Sequence, residues 1–335
     1  MKSFPVGKLD ARFLQRLMGS LPSDDPALIT GPAIGNDAAV IELDKGCLVV
    51  ATDPVTFTAD QIGWYAVHVN ANDVAAMGAR PRWFLIDILL PEGKTDGPLT
   101  ESIFSEIGET CRELGITVCG GHTEVTAGLE RPIVVGHMLG TVPGDGLKRL
   151  ANVRPGDRII MTKGIAIEGT SLIARGRGDE LAEKLGAGFV SRADSFIREP
   201  GISIVKEALA AAGVRGVHAM HDPTEGGIAT GLWEVAEGSG LGIEVYREKL
   251  KIYDETAAVC EIFGLDPLGL IASGALIIMV DQTAADELME VLEREGIESS
   301  VIGRVVPKEK GITIVEGGVS RNLEPFFQDE ITKVL

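Results

Sequence analysis

At 335 residues, with 45% hydrophobic and 24% charged residues, the chain is long enough for two buried cores. A formal charge of −18 argues against a nucleic-acid partner, and it requires a metal ion or helix N-termini to meet any phosphorylated ligand. Aromatics at 5% leave no stacking platform for bases, and no apolar run reaches the roughly 18 residues of a membrane span. The cysteines, Cys47, Cys111, Cys119 and Cys260, lack C-x-x-C spacing, and Met1 to Asp10 has no apolar signal core, so a reduced, cytoplasmic protein is expected.

In chain order, Leu9 to Met18 reads as a short amphipathic helix. Gly35-Asn36-Asp37 reads as a tight loop delivering Asp37 to a sheet edge, and the strand Cys47 to Thr52 places Asp53-Pro54 at its end. Asp60 is the expected N-cap of a central helix that Gly78 and Pro81 terminate. On that helix Asn70 and Asp73 are three apart and share a face, with Ala71, Val74 and Ala75 as the apolar stripe opposite. Asp73 reads equally as a solvated or ion-paired position. Trp83 to Leu90 is a buried strand, and Leu99 to Leu114 a helix capped by Thr100 and stopped by Gly115. Ile116 to Cys119 is a strand emptying into a glycine-loosened loop, Gly120-Gly121-His122-Thr123-Glu124, before the strand Pro132 to Val142.

Composition turns polar around Lys148 to Pro155, which places a domain boundary there and divides the chain into 1–150 and 151–335. The second half opens with the strand Asp157 to Thr162, Lys163-Gly164 and a helix, a generic anion seat without Walker A spacing. Helices at Gly201 to Ala212, Gly226 to Ala236, Glu255 to Phe263 and Ala284 to Glu295 alternate with strands at His218 to His221, Ile243 to Tyr246 and Leu276 to Val280. Strands at Val301 to Val306 and Ile312 to Val315 close an α/β or α+β domain.

Asp37, Asp53, Asp73 and Glu124 each adjoin a glycine, a proline or a helix face at the end of an element. Brought together they would repel, and Mg²⁺ ions bridging a nucleotide triphosphate would remove that repulsion. Scattered acids on an acidic protein is the plainer reading of any one of them. His122 in the glycine loop is a hydrogen-bonding or acid/base candidate. Asp222-Pro223-Thr224-Glu225-Gly226-Gly227 joins a hydroxyl, bare N–H groups and a positive helix end, which suits phosphate or ribose but equally an ordinary capped helix.

Five segments in order, Gly35 to Val40, Thr52-Asp53, Asn70 to Pro81, Gly120 to Glu124 and Asp222 to Ala229, resemble the aminoimidazole ribonucleotide (AIR) synthase superfamily and its hydrogenase-maturation, HypE-like branch. The resemblance implies a two-domain α/β (α+β) fold whose N-terminal sheet joins a second subunit's to form a barrel, hence a homodimer, with ATP held through Mg²⁺ in the cleft beside a C-terminal α/β domain. It assigns Asp37, Asp53, Asp73 and Glu124 to the metal, and Asn70, Gly164, Asp222, Thr224, Gly226 and Gly227 to the nucleotide. Catalytic roles fall to Asp73, His122 and Lys163. Phosphorylation of a carbonyl, thiocarboxamide or related acceptor, small or protein-borne, is the implied chemistry. The terminal Thr332-Lys333-Val334-Leu335 departs from the branch's C-terminal cysteine, so self-modification there is not expected. A non-catalytic ATP-binding maturation partner, and selenophosphate synthetase-like or thiamine-monophosphate kinase-like activity, are the alternatives.

Overall fold

The computed structural model describes residues 8–56 and 58–335. The stretch before residue 8, read above for its lack of an apolar core, lies outside the described residues. The chain separates into two compact units, one of residues 24–31 and 37–147, the other of 8–23, 32–36 and 148–335. No helix among the described residues is long and apolar enough to cross a membrane.

After α1 (Ala11–Met18), whose N-cap Asp10 accepts from the Phe13 N–H, come β1 (Leu28–Thr30), β2 (Ala39–Glu42), β3 (Cys47–Val55), α2 (Ile62–Ala76), β4 (Arg80–Pro91), α3 (Gly97–Leu114), β5 (Thr117–Thr126) and β6 (Ile133–Val142). The strands form one sheet in the order β1-β2-β3-β6-β4-β5, antiparallel except for β4 with β5. The helix α2 packs on β3, β6 and β4 and is covered by α3, so every residue of it but Val69 is buried. The amphipathic expectation for Asn70–Pro81 therefore gives way to a helix enclosed on all sides, which explains its alanine-rich make-up.

Two expected helix starts move. Gln61, not Asp60, precedes α2, and the Gly63 N–H donates to Glu106 Oε2 at 3.0 Å, so an acceptor on α3 replaces a local cap. Asp96 caps α3 through the Leu99 N–H at 2.9 Å, while Thr100 Oγ1 bonds back to the Asp96 carbonyl. Gly78, with φ of +80°, closes α2 as expected, but Pro81 belongs to β4.

Two strands run further than the sequence suggests. The strand β3 continues through Asp53 and Pro54 to Val55, paired with β6. Its pairing with β2 stops at Val50, so the missing N–H of Pro54 faces no strand on that side. The expected loop Gly120 to Glu124 is strand, continuous in β5 along β4. Glycine is required at 121, where a Cβ would lie 1.9 Å from the Ile86 carbonyl oxygen.

The other unit carries β7 (Arg158–Thr162), α4 (Ile167–Gly176), α5 (Gly178–Leu185), α6 (Ala187–Ser195), α7 (Val205–Ala212), β8 (Val217–His221), α8 (Gly227–Ser239), β9 (Gly242–Tyr246), α9 (Asp254–Phe263), β10 (Ile277–Val280), α10 (Ala285–Arg294), β11 (Ser299–Val306), β12 (Ile312–Glu316) and β13 (Val319–Asn322). Its sheet runs β13-β12-β9-β11-β7-β10-β8, with β9 and β12 parallel. Ile228, Leu232 and Val235 of α8 pack with Ile159, Met161, Ile277, Met279, Val245 and Ile302 in one aliphatic core. The helices α5 and α6 were not anticipated, because their charged and glycine-rich turns bury little: Leu181 and Ala193 are their buried residues.

Candidate active-site residues

Asn70 is wholly buried on α2 and clasps β3. Its Oδ1 accepts the Asp53 N–H at 2.9 Å, and its Nδ2 donates to the Asp53 carbonyl at 3.1 Å and to the Ala66 carbonyl at 2.8 Å. Space for this amide exists because β6 has glycine opposite: a Cβ at Gly136 would sit 2.3 Å from Asn70 Nδ2, and one at Gly140 would sit 2.4 Å from Val74 Cγ1. Thr52 Oγ1 completes the clasp with a 2.9 Å bond to the Gly136 carbonyl. A buried amide with three backbone bonds fixes the backbone bearing Asp53.

Asp37 lies two residues before β2, whose pairing with β3 begins at Ala39 opposite Val50. Asp73 lies buried one helical turn beyond Asn70. Glu124 does not join them: β5 is three strands from β3, about 14 Å at the usual strand spacing. Among the described residues no three His, Cys, Asp or Glu side chains gather as a metal shell, so convergence of four carboxylates is corrected to a smaller set. Asp37, just before β2, and Asp53, within β3, are hard oxygen donors of the kind that suits a Mg²⁺ held chiefly by phosphates and not an all-protein cage.

Glu124 belongs to a polar row on the edge of the sheet. Its carboxylate accepts from Thr126 Oγ1 at 2.7 Å and pairs with His122 Nε2 at 3.1 Å. These two bonds, Thr126 first, hold it below the ordinary carboxylate range. The His122 N–H donates to Asp87 Oδ1 at 3.1 Å, and Asp87 Oδ2 lies 3.5 Å from His137 Nε2. This His–carboxylate ladder was not read from the sequence, because it depends on the β4–β5 and β4–β6 registers.

The second group of residues is more enclosed than expected. Lys163, with φ of +53°, turns its ammonium inward to the Gly201 carbonyl at 3.1 Å, the Ser203 carbonyl at 2.7 Å and Glu207 Oε1 at 2.8 Å. Two of its donors are bonded to carbonyls and its charge is paired with Glu207 in a buried setting, which directs the ammonium away from an open phosphate seat. Gly164 makes room for the Tyr253 ring, which a Cβ would meet at 2.5 Å.

At the start of α8, Gly226 and Gly227 both take positive φ, and a Cβ on Gly227 would meet the Leu268 carbonyl oxygen at 2.4 Å. The expected open phosphate seat is corrected here: the Gly227 N–H donates to the Thr224 carbonyl at 3.1 Å and the Gly226 N–H to Asp329 Oδ2 at 2.6 Å. Asp222 is buried beside them. The side chains left for a ligand are those of Thr224 and Glu225, both bound by the Lys8 ammonium at 2.8 Å. Burial pushes the Glu225 carboxyl up, but the charge and hydrogen bond of Lys8 outweigh it and leave the group below its ordinary range. Nearby, Glu168 in the first turn of α4 is driven up to about 7, chiefly by burial, then by the charges of Glu225 and Asp329, against a lowering bond to Ser273. Sequence reading missed Lys8, Glu168 and Asp329, whose partners are remote in the chain.

Residues 35–142 match the AIR synthase related protein N-terminal domain, and 154–316 match the corresponding C-terminal domain. A carbamoyl dehydratase HypE of Azotobacter vinelandii is 32% identical over 311 residues, covering 89% of this chain and 87% of the relative. The fold is shared with a hydrogenase maturation protein HypE in complex with ATP (TM-score 0.69, 24% identity, 96% of each chain). It is also shared with a structure of a HypE–HypF complex (TM-score 0.73, 22% identity, 95% of this chain and 100% of that one). The chain belongs to the AIR synthase related family, among its HypE-like members.

Proposed function

We propose that the protein is an ATP-dependent enzyme that activates a carbonyl-type acceptor by phosphorylating its oxygen. The observation that carries this reading is the Asn70 clasp on Asp53. A buried amide committed to fixing the backbone of one acid is understandable where that acid must meet a metal-bound phosphate in a set geometry. Asp37 and Asp53 would hold Mg²⁺, which would supply electrostatic stabilisation of the transferring phosphoryl group, with Asp73 on α2 as the proposed catalytic carboxylate. Asn70 orients, and Thr224 and Glu225 with Lys8 are the polar groups for nucleotide or acceptor. The relative named carbamoyl dehydratase HypE and the HypE–ATP structure support an ATP-dependent reading by analogy, and the acceptor, small or protein-borne, is part of the proposal.

The first unit supports a homodimer as part of the same reading. Nine of the ten residues of the edge strand β5 are exposed, Val118 and Val125 among them. A strand left open along a sheet edge, with two exposed valines, is a template for pairing. Val125→Lys is expected to shift sedimentation from dimer to monomer.

The deciding experiment is phosphate release and MgATP calorimetry on the wild type and Asp73→Ala. Turnover reduced at least a hundredfold with the fold intact supports the reading, and unchanged turnover sinks it. The enclosure of Lys163 favours one second reading, a nucleotide binder without turnover, which predicts calorimetric MgATP binding and no phosphate release with amide, acid or selenide acceptors.

A further inference from the structure

The N-terminus of α8 is capped from across the chain. Gly226 at its N-cap position has no side chain to offer, and the acceptor comes from Asp329, 103 residues away. The Asp329 carboxylate accepts from the Gly226 N–H at 2.6 Å, the Ile331 N–H at 2.8 Å and the Ile271 N–H at 3.2 Å, and its residue is 8% exposed. A negative group at this end also meets the positive pole of the helix.

The same segment is held on both sides. The Phe326 N–H donates to Thr230 Oγ1 at 3.0 Å, and the Phe326 ring lies where a Cβ on Gly269 would meet it at 2.3 Å. The Glu330 N–H donates to the Gly269 carbonyl at 3.1 Å, and Glu330 Oε2 accepts the Asp266 N–H at 3.0 Å. The Ala272 N–H in turn reaches the Thr224 carbonyl at 3.2 Å. Residues 266–272, 326–331 and the Asp222–Gly227 turn therefore meet at one carboxylate.

We propose that Asp329 is a positioning residue, whose carboxylate fixes the Asp222–Gly227 turn so that Thr224 and Glu225 are presented together to Lys8 and to the ligand. This rests on the proposed function in one respect, that the turn serves MgATP. Asp329 is surrounded by the acids Glu225 and Glu168, with Lys8 countering Glu225, and its neighbour Glu330 pairs with Lys333 at 2.5 Å. Burial first, then Glu225, drives the Asp329 carboxyl up to about 6 against its three backbone bonds.

The test is hydrogen exchange of the full chain over residues 222–230, with MgATP calorimetry, for the wild type, Asp329→Asn and the control Glu330→Gln. An amide oxygen serves fewer of the three donors than a carboxylate does. Exchange in Asp329→Asn is expected to be at least tenfold faster at 222–230, and its MgATP affinity at least fivefold weaker, with Glu330→Gln close to the wild type in both. In the wild type the Gly226, Ile271 and Ile331 amides, which share this carboxylate, are expected to exchange with one common protection factor, a measurement that needs no variant and stands even where Asp329→Asn fails to fold. The proposal is overturned by unchanged exchange in Asp329→Asn, by independent exchange of these three amides in the wild type, or by faster exchange with unaltered MgATP affinity. If the wild type binds no MgATP, the nucleotide reading falls, and the exchange arm decides the positioning alone.

Discussion

Replacing Glu168 with Gln should stabilise this protein at alkaline pH and leave it nearly unchanged in mild acid. Glu168 is 8% exposed in the first turn of α4, and its carboxyl rises from an ordinary 4.5 to about 7. Folding therefore takes up a proton at this site. The stability gained from the protonated form is fully present below pH 4.5 and is lost as pH rises through about 7. At 1.36 kcal/mol per pH unit, the loss is about 3 kcal/mol by pH 8. For a chain of this length that corresponds to roughly 5 °C in melting temperature. The amide introduced by Glu168→Gln has the shape of the protonated acid and keeps a hydrogen bond to Ser273 without charge. Melting curves of wild type and Glu168→Gln from pH 5 to pH 8, followed by circular dichroism, should coincide at the acid end and separate steadily, the variant melting higher. A gap independent of pH, or a wild type that is the more stable at pH 8, would refute the assignment of Glu168 as a neutral buried acid.

Asn70→Ala strips three bonds from a buried clasp and should cost about 2–4 kcal/mol, read as a lowered urea midpoint, because the Asp53 backbone loses its partners. Lys163→Met leaves Glu207 charged and alone and should destabilise by about 3–5 kcal/mol, whereas Lys163→Met combined with Glu207→Leu should recover most of it. A catalytic lysine would instead show lost turnover in both variants. Gly121→Ala drives a methyl into the Ile86 carbonyl, so amide exchange along β4 and β5 should accelerate while β10 and β7 stay protected.

Much of the fold was legible because the aliphatic strands and the helix ending at Gly115 carry local signals. What escaped was decided at a distance. Asp60 and Thr100 are reasonable caps by propensity, yet Glu106 supplies the acceptor to α2 across a helix contact, and Asp96 lies nearer the true start of α3. Glycines at 120 and 121 look like loop punctuation until the Ile86 backbone is seen pressed against the second of them. The acids of the first unit were found as types, but which of them share a neighbourhood follows from strand order, which separates Glu124 from Asp53. Lys163 shows the limit most clearly: a lysine after a strand and before a glycine suits phosphate, and only the position of Glu207 on α7 reveals that its charge is satisfied internally.

The empty space that Gly136 leaves for the Asn70 amide ties two distant positions into one inheritance unit. A lineage cannot enlarge residue 136 while keeping asparagine at 70, and it cannot shorten residue 70 without opening a void beneath the strand. Drift at either place should be rare alone and tolerated as a matched exchange, making this pair a marker by which descendants of the same scaffold can be told from chance look-alikes.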